Sequence, residues 1–311
     1  MKSIAITGIS GYIGERLLAR LHDLEEVASI VGVDLRPPRY SSPKLKFYRR
    51  HILEPLGAIF AENKVESAIH LVFTLKPTHD VQGARQTDID GTRNFLQACH
   101  QAQVKHILYL SSHTVYGAHP DNPVPLKEDA PLRPLSGFQY SWDKAEVEQM
   151  LQNFASSHQD VKLTILRSCP VVGPKAANSV AALMFKPPVM VTVAGYDPPL
   201  QFVHEDDLVQ LIITLLKRKQ AGIFNVAGDG VVQYSELAKL SGKRRLTLPE
   251  KWLRLLMSAS WVLRLQSESP ASGLEFIKYP PIVSTEKLKK ELGFKFVYSS
   301  REALQSFLAT R

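Results

Sequence analysis

Cysteine is nearly missing from this 311-residue chain: only Cys99 and Cys169 occur. Two thiols build neither a disulfide framework nor a cysteine-based zinc cluster. Each stands in an apolar segment, where a buried, reduced thiol is expected. Long apolar runs free of charge are also lacking, so no transmembrane helix is predicted. The opening MKSIAITG passes straight into a strand-like run and lacks the apolar core of a secretory signal. Zinc spacings and aromatic–basic repeats are missing too, which argues against a nucleic-acid partner. The formal charge of +8 favours anionic ligands. Its basic stretches, KLKFYRR, KRK and KRR, are short and read as solvated faces or turns. The expectation is a cytoplasmic protein with no nucleic-acid and no membrane partner.

What the chain does have is a globular balance, 44% hydrophobic and 22% charged residues. Its first half alternates strand and helix patterns. Strands are predicted at residues 3–7, 30–33, 46–48, 68–73, 106–110 and 163–166. Helices are predicted at 12–24, 56–63, 88–100 and 140–154, the first with Ile13, Leu17, Leu18 and Leu21 on one face. That alternation argues an α/β fold, a Rossmann-type doubly wound parallel sheet. After about residue 170 proline and glycine become frequent, as in VVGPK, FKPPV and GYDPP. The division expected is 1–172 for the nucleotide-binding domain and 173–311 for a smaller C-terminal substrate-capping region, with some of its segments returning to the first domain. Helices are predicted there at 205–216 and 252–265. The second is strongly apolar, and is expected to pack over a pocket or in a dimer contact, with membrane contact the alternative because Lys251, Arg254 and Arg264 are basic.

TGISGYIG sets Gly8, Gly11 and Gly14 between the first strand and the first helix. Glycine permits a tight turn and close approach of the backbone to a pyrophosphate, and the helix start offers free N–H groups. Asp34 ends the second strand, where a carboxylate can grip the adenosine ribose and repel a 2′-phosphate. This favours NAD. Arg36, two residues on, keeps NADP open.

In FQYSWDKAE, Tyr140 and Lys144 share one helix face. A tyrosine is a poor base near neutrality unless a cation lowers its pKa. HILYLSSHTVYG ends a strand in Ser111 and Ser112, at the edge where open α/β sheets bind ligands. A hydroxyl there can orient a reacting oxygen.

Taken with AIHLVF, DIDGTRNFLQA, LRSCPVVGP, QFVHEDD and FNVAGDG, these stretches make the chain resemble the extended short-chain dehydrogenase/reductase superfamily, specifically its NAD-dependent epimerase/dehydratase-like members. The resemblance implies Tyr140 as catalytic acid/base, Lys144 lowering its pKa and binding the cofactor ribose, and Ser112 holding the reacting oxygen. It implies Gly8, Ser10, Gly11, Tyr12, Ile13 and Gly14 along the pyrophosphate. Asp34 and Arg36 would stand at the adenosine ribose, and His51 and Ile52 near the adenine. Leu71 and Val72 would pack beside the cofactor and Pro170 near the nicotinamide. It also implies a homodimer formed through helices 88–100 and 140–154.

The chain departs from the family pattern at several places. His51 stands where an aspartate is usual, and Asp88 replaces the asparagine before Gly-Thr. The HLVF segment is bulkier than the usual His-Leu-Ala-Ala. Pro170 occupies a position where nucleotide-sugar epimerases often carry asparagine, and Leu200 and Gln201 replace Arg-Asp. Losing an arginine there removes a charge-assisted contact to a diphosphate. Trp142, Phe185 and Tyr196 are candidates to line the substrate pocket. The expected function is an NAD-dependent oxidoreductase or epimerase acting on a secondary alcohol carbon of a sugar or polyol-like small molecule. An NADP-dependent reductase of a less polar carbonyl and a non-catalytic dinucleotide sensor remain the alternatives. No metal is expected.

Overall fold

The computed structural model describes residues 2–75, 77–176, 189–265 and 269–310. β1 (Ser3–Thr7) leads through the glycine loop into α1 (Tyr12–His22). β2 (Ser29–Asp34), β3 (Leu45–Arg49), α2 (Gly57–Glu62) and β4 (Ser67–His70) follow. Next, α3 (Val81–Arg85) passes through a π-helical turn at Gln86–Asp90 directly into α4 (Gly91–Gln101). β5 (His106–Ser112), α5 (Gln139–Ser157) and β6 (Lys162–Ser168) complete the alternation.

Short strands and helices make up the next stretch of the chain, to residue 262. They are β7 (Val171–Val172), β8 (Val189–Val193), β9 (Pro199–Leu200) and β10 (Val203–His204), then α6 (Glu205–Arg218) and β11 (Gly222–Val226). β12 (Val232–Gln233), α7 (Tyr234–Leu240), β13 (Arg244–Leu248) and α8 (Glu250–Val262) come after them.

Seven strands form one sheet in the order β11-β6-β5-β4-β1-β2-β3, every pair parallel. β11 comes from the C-terminal part and pairs with β6 through Ile223–Ile165 and Asn225–Arg167. Alternation along β1 explains the layering. Ile4 and Ile6 face one apolar cluster, with Leu17 and Leu18 of α1 and Leu208, Leu211 and Leu215 of α6. Ala5 faces the other, with Phe60 of α2, Phe95 of α4 and Val147 and Leu151 of α5. Both faces are covered, as parallel sheets require. A third cluster joins Leu200 and Phe202 to Val232, Leu237, Leu304 and Phe307.

Strand order changes direction between β1 and β4, since β1 pairs with β2 on one side and β4 on the other. Diverging connections at such a point leave a crevice at the carboxyl ends of the strands. The strand expected over 68–73 stops at His70, so Leu71, Val72 and Phe73 lie in the loop that floors this crevice.

Candidate active site

The glycine loop is folded tightly against β4's exit. Gly11 N–H donates to Gly8 O at 3.0 Å. Gly8 has φ +78, and a Cβ there would sit 3.1 Å from backbone atoms of Leu71 and Val72. A Cβ on Gly14 would lie 2.4 Å from Gly8 O and 2.5 Å from Ile9 O. Both positions therefore require glycine. The α1 N-terminus carries no side-chain cap, which leaves its first N–H groups for an anion.

Asp34 is held by this loop. Its Oδ2 accepts the Ser10 N–H at 3.0 Å, and its Oδ1 accepts the Leu35 N–H at 2.7 Å. The Ser10 hydroxyl donates to Arg36 O at 2.5 Å, while the Arg36 side chain is exposed. An uncapped helix start behind a closed glycine turn, with a fixed carboxylate at the end of β2, fits a dinucleotide. Other expected contacts are narrowed. Ile13 is buried in the core, and the Tyr12 hydroxyl donates to Glu205, so backbone N–H is what these two residues offer. Ile52 is buried against Gly91, and its carbonyl accepts from Asn94 Nδ2 at 2.7 Å. His51 Nδ1 accepts the Leu53 N–H at 3.3 Å. Pro170 offers no side-chain donor, and its carbonyl accepts the Val203 N–H at 3.1 Å.

The two serines ending β5 face opposite ways, as neighbours on a strand do. Ser111 Oγ donates to Glu148 Oε1 at 2.6 Å, and Glu148 pairs with buried Arg167 at 2.8 Å. That serine is structural. Ser112 Oγ accepts from Thr114, at 3.2 Å from its N–H and 2.9 Å from its hydroxyl. Ser112 also acts on the Tyr140 phenol, in the direction that lowers it.

Tyr140 and Lys144 lie in the first turns of α5. The Tyr140 ring meets Phe73 edge-on at 5.5 Å and Phe138 at 6.2 Å. Burial pushes its phenol up to about 12, and the Ser112 hydrogen bond opposes that rise. Lys144 Nζ donates to Leu110 O at 2.8 Å and lies 3.7 Å from the Phe73 ring centroid. Burial pushes this ammonium down to about 7, against the pull of Asp88 and Glu148. Burial and Asp88 raise the tyrosine in this arrangement, and Ser112 is the group that lowers it.

Beside the pair is a small cleft of about 30 Å³, partly open to solvent, whose lining includes Thr74, Thr78, Asp88, Gln139, Tyr140 and Asp143. Asp88 is buried, accepts the Thr74 N–H at 2.8 Å, and is pushed up to about 6 by that burial. Arg85 reaches across from α3 to Asp143, and to Glu146 at 2.8 Å. Gln139 Nε2 also donates to Asp143, at 2.8 Å. Phe73 and Asp88 were visible in sequence only as departures from a pattern. Arg85 and Asp143 lie 58 residues apart, with no spacing signal to join them. Of the expected pocket residues, Trp142 is instead half exposed and donates from Nε1 to Leu135 O at 3.0 Å. Tyr196 bonds the Tyr279 hydroxyl at 2.9 Å, away from this cleft. Phe185 lies outside the described residues. Among the described residues no His, Cys, Asp and Glu cluster could hold a metal ion.

Similar proteins fit this geometry. An uncharacterized protein of Mycobacterium tuberculosis is 24% identical, over 100% of this chain and 84% of its own length. The UDP-glucose 4-epimerase of Yersinia enterocolitica is 32% identical over 55% of this chain and 54% of its own. Among solved structures, the UDP-glucose 4-epimerase of Thermotoga maritima with UDP-glucose superposes with a TM-score of 0.77 at 20% identity, over 99% of this chain and 98% of that one. The dTDP-glucose 4,6-dehydratase of Bacillus anthracis in complex with NAD gives 0.73 at 17% identity, covering 100% and 96%. Residues 4–227 match the NAD dependent epimerase/dehydratase family. The chain belongs to that family, and is an NAD(P)-dependent oxidoreductase of the epimerase/dehydratase type.

Proposed function

We propose that the protein oxidises and re-reduces a secondary alcohol carbon of a sugar carried on a nucleotide, by proton transfer at Tyr140. The observation that carries this reading is buried Lys144, tied at 2.8 Å to the carbonyl of Leu110 on the strand that ends in Ser112, one helical turn from Tyr140 at the carboxyl edge of the sheet. NAD, when bound, supplies the hydride acceptor and donor. The chain's own residues do the rest. Gly8, Gly11 and Gly14 admit the pyrophosphate to the start of α1, and Asp34 takes ribose hydroxyls. Ser112 donates to the reacting oxygen, which shares in stabilising the charge that develops there. Tyr140 takes the hydroxyl proton and returns it on reduction. Lys144 holds the ribose side of the site.

The sugar nucleotide enters through the relatives: epimerases of Yersinia enterocolitica and Thermotoga maritima are named for UDP-glucose. A second reading, reduction of a less polar carbonyl, draws on the buried Leu200 and on Gln201. The Gln201 side chain is committed to the Val283 backbone at 2.8 and 3.2 Å. Incubating the enzyme and NAD⁺ with UDP-hexoses, and separately NADH and NADPH with apolar ketones, decides between them. Turnover of a UDP-hexose that falls by about 10²- to 10⁴-fold in Tyr140→Phe, with NAD binding kept, supports the first reading. Near-normal turnover in Tyr140→Phe removes the tyrosine as acid/base.

A further inference from the structure

Helix α8 is apolar on the side turned to solvent. Trp252, Leu255, Leu256, Val262 and Leu263 are each between 57% and 77% exposed. They recur at helical spacing of three and four, so with Ala259 they form one outward stripe. The inward side is apolar too: Leu253 is buried and Met257 packs with it against Val193 and Leu274. Glu250, Lys251, Arg254 and Ser258 form a polar strip between these two apolar sides, so among the described residues the outer apolar side is left without protein against it. At 13 residues it reaches only about 20 Å, short of a bilayer core of about 30 Å. None of the described helices is long and apolar enough to cross a membrane.

The charge around the stripe selects what covers it. Arg244, Arg245, Lys251 and Arg264 are exposed at its edges, and Leu246 adds an exposed apolar side chain on β13. Between residues 243 and 265 the one acidic residue is Glu250. Its carboxylate is taken by Arg254 at 2.7 Å and Lys278 at 3.0 Å. A two-fold contact between copies of this face would set the same cations against one another. An anionic surface matches both the apolar stripe and its cationic border.

We propose that α8, with β13 leading into it, is a docking face for an anionic lipid surface, the helix lying in the headgroup plane with its aromatic and leucine side chains inserted. Such docking departs from the expectation of no membrane partner only in adding a surface contact, since none of the described helices spans a bilayer. It is independent of the reaction assigned above, but it bears on access to the cleft. The Trp261 ring on α8 packs against His79 at 4.1 Å with the rings tilted by 32°, and His79 neighbours Thr78 in the cleft wall. A docked helix therefore brings lipid close to the cleft.

The test is co-sedimentation of the full chain with phosphatidylcholine vesicles, with and without phosphatidylglycerol. Binding is expected with phosphatidylglycerol, weaker by about tenfold or more without it or at raised salt. The double variant Leu255→Glu/Val262→Glu, at two exposed positions, should lose binding by about tenfold or more with unchanged melting temperature and NAD affinity. Arg244→Glu/Arg245→Glu, which leaves the stripe intact, should weaken binding and flatten its salt dependence. Wild-type protein left in the supernatant with anionic vesicles at low salt overturns the proposal. So does a stable dimer that Leu255→Glu/Val262→Glu dissociates while vesicle binding is unaffected.

Discussion

Lys144 Nζ donates a 2.8 Å hydrogen bond to the Leu110 carbonyl, tying α5 to the strand that ends in Ser112. The ammonium is buried and stands near 7, against an ordinary value of 10.5. Between pH 7 and 9 the folded chain gives up this proton while the unfolded chain keeps it. The unfolded state then binds more protons, so this group makes stability rise with pH. The contribution across that window is about 2 kcal/mol. Denaturant midpoints followed from pH 7 to 9 should show this rise in the wild type, and Lys144→Met should remove it. Parallel profiles for the two proteins would mean that the lysine carries the same charge in the folded and unfolded states.

A second relationship bears on cofactor choice. Both carboxylate oxygens of Asp34 are fixed by backbone N–H groups, from Ser10 and Leu35. The carboxylate cannot swing aside to admit a 2′-phosphate without breaking both bonds. Titration calorimetry should give tighter binding of NAD⁺ than NADP⁺. Charge-assisted hydrogen bonds are worth about 1.5–3 kcal/mol, so Asp34→Asn should weaken NAD⁺ by roughly tenfold or more. The same change removes the repulsion and should narrow the gap to NADP⁺. Equal affinities in the wild type would shift the choice to exposed Arg36.

The sheet was legible because hydrophobic periodicity reports burial, and six strands of this sheet announce themselves as short apolar runs. β11 was harder. GIFNV reads as a strand only once β6 offers it an edge, with the paired Ile223 and Ile165 58 residues apart in sequence. The glycine loop was legible because steric exclusion leaves no other residue at Gly8 and Gly14. Ser112 and Tyr140 could be named but not joined, since their approach depends on where β5 ends against α5. Lys144 shows the limit of spacing. Its place on the helix face was plain, but its carbonyl partner and its seat on Phe73 depend on the loop after β4. Burial then set both protonation equilibria, and burial at one residue is a property of the whole packing.

Asp88 supplies the remaining prediction, because a carboxylate here does more than an amide would. It accepts the Thr74 N–H at 2.8 Å, fixing the loop that carries Phe73. Its negative charge also raises both Tyr140 and Lys144. Asp88→Asn keeps an oxygen for Thr74 and deletes the charge, so the tyrosine should ionise more easily. The alkaline-favoured limb of kcat/KM for alcohol oxidation should move to lower pH, by on the order of one unit. Asp88 itself stands near 6, so wild type and variant should converge below that pH, where the wild-type carboxyl is protonated. The check is the pH–rate profile of both proteins on a confirmed substrate, with thermal melts run alongside. A shifted limb with an unchanged melting temperature assigns Asp88 an electrostatic hold on the site. A limb that stays in place leaves it only the Thr74 hydrogen bond.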